Sequence, residues 1–256
     1  MSKAMPGMGL SPNSVTNRVS VSVVTVTYNN LAGLAKTLAS LQTLKVKPAE
    51  ILVIDGGSED YTKEALDKYA EVIPELRYIS ERDNGIYDAM NKGKRLVASP
   101  LIHYLNAGDT VQGEPYENTV GPARLLVDIY TADDAVGWRD FVRLRGFGYC
   151  HQGLLLPVSH AEYDTRYKLA ADFDVIMRSF PEGIHALPVC SNGRARYYLG
   201  GVSSHSPGRL DREIILIATR NRGLFAGAYF FLAVMLRHLF PRSLRRLYAR
   251  SFHAIP

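Results

Sequence analysis

Only two cysteines, Cys150 and Cys190, occur in 256 residues. That is too few for the disulfide framework of a small secreted domain, and no cysteine cluster exists that could hold a metal. The pair reads as two reduced thiols of a cytosolic protein. Long apolar runs are also missing. The best, residues 223–236 (GLFAGAYFFLAVML), has no charge. As a helix it reaches about 21 Å, short of the roughly 30 Å of a bilayer's hydrocarbon core. A lone transmembrane span is therefore disfavoured. The first eighteen residues carry no continuous apolar core of the kind a secretory signal needs, and read as a flexible leader. There is a single tryptophan, Trp138. Its ring could stack on a ligand, but a core place is the simpler reading.

Acidic residues are absent from Ile214 to the end, while seven arginines fall in that stretch. The remainder carries 23 basic against 25 acidic residues, so the net charge of +5 belongs to the C-terminal segment. Those arginines (Arg220, Arg222, Arg237, Arg242, Arg245, Arg246 and Arg250) flank and follow the apolar run, and Leu244, Leu247 and Phe252 continue its pattern. Interleaving with apolar side chains suits a helix lying in an anionic membrane surface better than the open basic stripe of a nucleic-acid binder. Packing of the same helix on the body is the alternative. With 46% hydrophobic and 21% charged residues, the chain can bury one sizeable core, and wholesale disorder is excluded.

What is present is an alternation. Residues 19–26 (VSVSVVTV) are β-branched and apolar, and leucines 31, 34, 38 and 41 then recur at helical spacing. Residues 50–54 (EILVI) predict a second buried strand, 61–69 a helix, 76–80 a strand, 86–97 a helix and 101–105 a strand. This is the pattern of parallel βαβ units in a three-layer α/β sheet, whose ligands bind beyond the carboxyl ends of the strands. After Asp109 the alternation weakens. Residues 129–130 and 140–144 are short strand candidates, 151–157 a buried turn and strand, 172–180 a short helix, and 200–204 a turn. The chain divides into a leader (1–18), one domain (19–208, in two halves that meet at 109/110) and a helical extension (209–256).

Polar loops follow the strands in order: Asp55-Gly56-Gly57-Ser58, then residues 81–93 (ERDNGIYDAMNKG), then Asn106-Ala107-Gly108-Asp109, then Ala171-Asp172-Phe173-Asp174. With SVVTVTYNN and ILVIDGGSED before them and YKLAADFDVIMR after, these runs resemble the inverting glycosyltransferases of family two, which have the GT-A fold. The CHQ and GGVSS segments resemble a bacterial subgroup working on polysaccharides and glycolipids. The likeness covers about residues 19–204, and it makes 19–208 a catalytic domain with a nucleotide-sugar half to 109 and an acceptor half from 110.

The resemblance implies a hexosyl-type transfer from a nucleotide-diphospho-sugar, with UDP as the expected nucleotide, to a hydroxyl of a glycan or lipid-linked acceptor. It places the donor nucleotide on Thr27, Tyr28 and Asn29 at the end of the first strand, on Asp55 and Asp83, and on Asn91, Lys92 and Asn106. Asp109 becomes the ligand of a divalent cation, Mg²⁺ or Mn²⁺, whose charge offsets that of the leaving diphosphate. The family has an acid two or three positions before it. This chain has Asn106 there, which lowers the charge available to a metal. Asp172 takes the place of the general base that removes the acceptor proton. The family often has Glu before it, and here Ala171 stands. Asp174 is the alternative base, and with His151 and Gln152 it is expected near the acceptor. His205 could complete a metal site, although a loop histidine is the plainer reading.

Each of these residues also has an ordinary structural reading. Asp55 and Asp109 could be turn acids, Asp83 and Lys92 solvated surface groups, His151 a hydrogen-bonding core residue, and Asp172 a helix-start acid. A nucleotidyltransferase would carry a glycine-rich basic loop after the first strand, and TVTYNN has neither Gly nor Lys. A non-catalytic nucleotide-sugar or membrane-binding module of the same fold remains the alternative function. The expected location is the cytoplasm, peripheral to the inner face of the plasma membrane.

Overall fold

The computed structural model describes residues 19–130, 135–136, 150–198 and 206–239. Strand β1 (Val21–Thr27) is buried along its whole length. Its alternate side chains enter two different cores. Val21 and Val23 meet Leu34, Leu38 and Leu41 of helix α1 (Leu31–Gln42), whereas Val24 and Val26 meet Met90 of helix α3 (Ile86–Leu96). Burial on both faces explains why the strand is a continuous apolar run instead of an alternating one. Strand β2 (Glu50–Asp55) behaves the same way, with Ile51 and Val53 facing one core and Leu52 and Ile54 the other. Helix α2 (Thr62–Val72) and strands β3 (Leu76–Ser80) and β4 (Leu101–Tyr104) complete a parallel unit in the spatial order β3-β2-β1-β4. These elements match the predicted ones to within three residues at each end.

Beyond β4 the sheet becomes mixed. Strand β8 (Leu154–Pro157) pairs antiparallel with β4. Strand β6 (Ala123–Tyr130) pairs antiparallel with β8 and with the two-residue β7 (Ala135–Val136). Strand β9 (Val189–Tyr198) lies parallel to β6 and antiparallel to the edge strand β5 (Thr110–Gly113). The sequence reading found only the last two residues of β6 and missed β5 and β9. Their outward positions carry Arg, Asp, Gln and Asn, so no apolar run marks them. The candidates at 140–144 and 200–204, with Trp138 and His205, lie outside the described residues, as do the leader and the four arginines from Arg242 on.

Helix α4 (Ala171–Ser179) packs against the β2/β4 side of the sheet through Val175 and Ile176. Helices α5 (Pro207–Arg222) and α6 (Leu224–Leu239) follow, separated by Gly223 at φ 84°, a left-handed conformation that favours glycine. They pack on one another and on α4 around Phe173, Ile214, Ile217 and Ala218, with Phe230 against them. Gly227 lies so close to Thr219 that a Cβ there would sit 1.9 Å from its Oγ1. This contact allows the two helices to approach closely. Among the described residues no helix is long and apolar enough to cross a membrane.

Candidate active site

Two groups of polar residues flank the carboxyl end of β1. The first lies on its β2 side. Thr27 pairs in register with Asp55, which pairs in turn with Ser80 of β3. Asp55 is fully buried. Its carboxylate accepts from the Ser58 hydroxyl at 2.5 Å, the Ser58 N–H at 3.2–3.3 Å and the Ser80 hydroxyl at 2.6 Å. Ser58 Oγ accepts from the Asn29 N–H at 2.7 Å, and Asn29 Oδ1 accepts from the Glu59 N–H at 2.8 Å. Asn29 itself is left-handed at φ 47°. These bonds stitch the β1 and β2 loops into one rigid rim, with Asp55 as its pin.

Gly56 accounts for the next convergence. A Cβ at this position would lie 2.7 Å from Asp83 Oδ2 and 3.4 Å from Tyr28 Cδ2. The absent side chain therefore lets the Asp83 carboxylate and the Tyr28 ring close over the backbone. Tyr28 is 62% exposed, an uncommon cost for a ring with no packing role. Asp83 Oδ1 is held by the Gly85 N–H at 2.8 Å. Its loop is anchored by Lys92, which donates to the Arg82 carbonyl at 3.0 Å and pairs with Glu81 at 2.9 Å. An aromatic face and a carboxylate suit a planar base that offers N–H groups.

The second group lies on the β4 side. Residues 106–109 form a tight turn, with the Asp109 N–H donating to the Asn106 carbonyl at 2.9 Å and Gly108 at φ 107°. Thr37 of α1 holds this turn, accepting from the Gly108 N–H and donating to the Asp109 carbonyl. Asn30, which caps α1 through the Gly33 N–H, also donates to the Ala107 carbonyl. Asp109 is buried, and its carboxylate accepts from Gln152 Nε2 at 2.8 Å and the Tyr198 N–H at 3.1 Å.

Gln152 sits in a 3-10 turn, His151–Gly153, that leads into β8. Its neighbour His151 faces Asp172 Oδ2 through Nδ1 at 3.2 Å and the Asn106 amide nitrogen through Nε2 at 3.4 Å. With Nδ1–H donating to the carboxylate, Nε2 is left to accept. The other Asp172 oxygen takes the Phe173 N–H at 2.9 Å and faces the Tyr87 hydroxyl at 3.5 Å. Asp172 thus stands in the first turn of α4, where the helix's positive end favours an anion. Asn106, Asp109, His151, Gln152 and Asp172 form one linked polar cluster. Asn106 Oδ1 is buried there with no partner among the described residues.

The position of this cluster is fixed from outside by two further contacts. His103 of β4, fully buried, donates from Nε2 to the Gln152 carbonyl at 2.7 Å and accepts at Nδ1 from the Tyr116 hydroxyl at 2.7 Å. Burial lowers its pKa to about 4, so it stays neutral. The carboxylate of Glu213 on α5 accepts from the N–H groups of Lys168, Leu169 and Ala170 at 2.8–3.0 Å, just before α4 begins.

Two expected site residues lie elsewhere. Asp174 is buried against α5, paired with Arg178 at 2.6 Å and accepting from Asn221 at 3.0 Å. Two residues along a helix rotate the side chain by about 200°, which turns Asp174 away from the face that Asp172 presents; the structure does not bring it to the cluster. Asn91 is buried, with both ends of its amide bonded to the Tyr163 backbone at 2.8 Å. That is scaffold, and the geometry does not bring it to the rim. Sequence reasoning missed Ser58, Ser80, Thr37, Tyr87 and His103. Ser58 and Tyr87 lie inside the runs that drew attention, but only the fold reveals their partners. No group of three or more potential metal-ligating His, Cys, Asp or Glu side chains occurs among the described residues.

Comparison with known proteins bears on the family and the fold. The model of the family described as Glycosyl transferase family 2 matches residues 22–152. A validoxylamine A glucosyltransferase of Streptomyces hygroscopicus is 33% identical over 121 residues, 44% of this chain and 28% of that protein. The chain therefore aligns to little more than a quarter of that relative. A PGL/p-HBAD biosynthesis glycosyltransferase of Mycobacterium tuberculosis is 27% identical over 180 residues, 62% of this chain and 69% of that protein. Among solved structures, S. aureus TarS in complex with UDP-GlcNAc has a TM-score of 0.58 at 15% identity, covering 88% of this chain and 74% of that one. A mannosyltransferase, PcManGT from Pyrobaculum calidifontis, in complex with GDP-Man and Mn²⁺, has a TM-score of 0.54 at 16% identity, covering 97% and 83%. At such identities these likenesses show the fold alone, which is the GT-A-like α/β fold.

Proposed function

Because the chain belongs to glycosyl transferase family 2, an inverting family, we propose that it moves a sugar from a nucleotide-diphospho-sugar to a hydroxyl group. The observation that carries this reading is the linked cluster of Asn106, Asp109, His151, Gln152 and Asp172, with Tyr28 and Asp83 on the other side of the same strand end. A nucleotide base against Tyr28 and Asp83 leaves its diphosphate beside the 106–109 turn. The acceptor then approaches from the α4 side. Its oxygen attacks the anomeric carbon as the bond to the diphosphate breaks, and the electron pair leaves with the phosphate. Asp172 receives the acceptor's proton, and His151 and the Phe173 N–H hold its carboxylate in place. UDP is the expected nucleotide, and a glycan or lipid-linked hydroxyl in cell-surface polysaccharide or glycolipid synthesis the expected acceptor.

The residues present fit a hard divalent cation. Asp109 supplies a carboxylate, and Asn106 Oδ1 is a buried oxygen in search of a partner. Such ions commonly take one or two protein oxygens and complete their shell with substrate phosphate and water. Mg²⁺ or Mn²⁺ bound by Asp109 and Asn106 would lend positive charge to the departing diphosphate.

Helix α6 supports a membrane partner. Its residues 224–236 carry no charged side chain. One side packs on α5, while Leu224, Phe225, Phe231 and Leu232 are 53–93% exposed. A helix of that kind in water lacks a partner for half its surface. The arginines around it in sequence match an anionic leaflet, at about 1 kcal/mol each. Confinement to the inner face of the plasma membrane would concentrate the enzyme with a lipid-linked acceptor.

The test is a panel of UDP- and GDP-sugars with purified protein and Mn²⁺, read as nucleotide release. We expect release from one donor, lost by about 10²-fold or more in Asp172→Asn and in Asp109→Asn while the fold survives. UDP binding without turnover of any donor would favour the non-catalytic module instead.

A further inference from the structure

The outer face of β6 and β9 carries a polar surface that the reaction centre does not use. Residues at alternate positions point away from the core, and register brings them side by side: Arg194 beside Leu126, Arg196 beside Asp128, and Tyr198 beside Tyr130. The Tyr130 and Tyr198 rings stack at 5.7 Å. The Arg196 guanidinium lies over the Tyr130 ring, 5.4 Å from its centre. Next to them opens a cavity of about 450 Å³, lined by Gln112, Asp128, Asn192, Arg194 and Arg196 among others. That volume is within the range of small-ligand sites.

Charge accounting in this cavity leaves a remainder. Arg194 is paired with Asp128 at 2.8 Å. Arg196 has no carboxylate partner among the described residues, and its Nε is buried without an acceptor. A buried guanidinium N–H left unmade is costly, and its fork is shaped for two oxygens of one anion. The surface is also continuous with the reaction centre. Arg196 pairs in register with Thr110, the residue after Asp109, and the Tyr198 N–H donates to Asp109 itself.

We propose that this face binds the anionic part of a saccharide acceptor, a carboxylate or phosphate set among ring hydroxyls. Arg196 anchors the anion. The Tyr130–Tyr198 platform takes the apolar face of a sugar ring, and Gln112, Asn192 and the Asp128–Arg194 pair exchange hydrogen bonds with hydroxyls. This rests on the glycosyltransferase reading, since it treats the occupant as the acceptor, and it assigns the acceptor a chemical class.

The test titrates glucuronic acid, glucose 1-phosphate, glucose and inorganic phosphate separately into the full chain saturated with UDP, with binding followed by ligand-observed NMR. One or both acidic sugars should bind about tenfold or more tighter than glucose and than inorganic phosphate. Which acid wins tells carboxylate from phosphate. Arg196→Gln should erase the preference, and Tyr130→Leu should weaken all three sugars, with UDP affinity unchanged in both. Equal binding of the three sugars, phosphate alone binding as well as the acidic sugars, or a preference that survives Arg196→Gln would each overturn the proposal. Failure of the transferase reading shows separately, as absence of UDP binding and of nucleotide release.

Discussion

At the scale of single residues, burial separates the acids by task. Asp55 spends its oxygens on Ser58 and Ser80 and stiffens the rim, whereas Asp83 keeps an oxygen over Gly56 and remains part-exposed. Asp172 and Asp174 differ by two positions and by the whole width of a helix in environment. Asn91 gives a direct check of scaffold against site. In Asn91→Leu the Tyr163 N–H and carbonyl lose both partners, which should cost about 2–4 kcal/mol in urea denaturation. UDP affinity, measured by calorimetry on the folded variant, should stay at the wild-type value; a tenfold loss would return Asn91 to the donor contacts.

At the scale of elements, α6 is the one whose surface chemistry conflicts most with water. Replacing Phe225 and Leu232 with serine removes exposed apolar area without touching the face on α5. The double variant should lose flotation with phosphatidylglycerol vesicles while its melting temperature holds. Neutral vesicles should capture the wild type less well than anionic ones. Retention on DNA at matched salt in preference to vesicles would contradict the membrane reading.

The elements also show what could be read from sequence. Strands β1, β2 and β4 are buried along nearly their whole length, so their burial is written as runs such as EILVI, and the loops after them stand out by contrast. Strands β5 and β9 have one wet face, and β9 holds Arg194 and Arg196 on it, so a hydrophobic pattern could not reveal them. For the site, the family resemblance pointed to Asp109, His151 and Asp172. The Gln152 bond to Asp109 and the Asn106–His151–Asp172 line required the antiparallel β4–β8 pairing, which joins residues about fifty positions apart. Nothing local encodes that.

At the scale of the molecule, two histidines are held neutral by the same device. His103 and His160 each donate to a backbone carbonyl and accept from a buried tyrosine, Tyr116 and Tyr104 respectively. Burial lowers both from 6.5 to about 4. Between those values the unfolded chain takes up protons that the folded one refuses, so stability falls as pH drops from about 6.5 to about 4. The loss is on the order of 3 kcal/mol per group by its end. Urea denaturation at pH 7 and pH 5 should show it, and replacing His160 with Gln should flatten part of the slope. A stability curve level across that window would show that neither group is held as described.

The order in which β1 to β4 occur along the chain has a consequence for synthesis. All four parallel strands lie within residues 21–104, and among the described strands it is β8 that pairs the second half of the sheet to them. A ribosome delivers the N-terminal part first, so the rim proposed for the nucleotide is synthesised while Gln152 and Asp172 are still untranslated. Nucleotide already present in the cell would then act on a nascent half-protein, favouring its native arrangement by mass action before any acceptor could be handled.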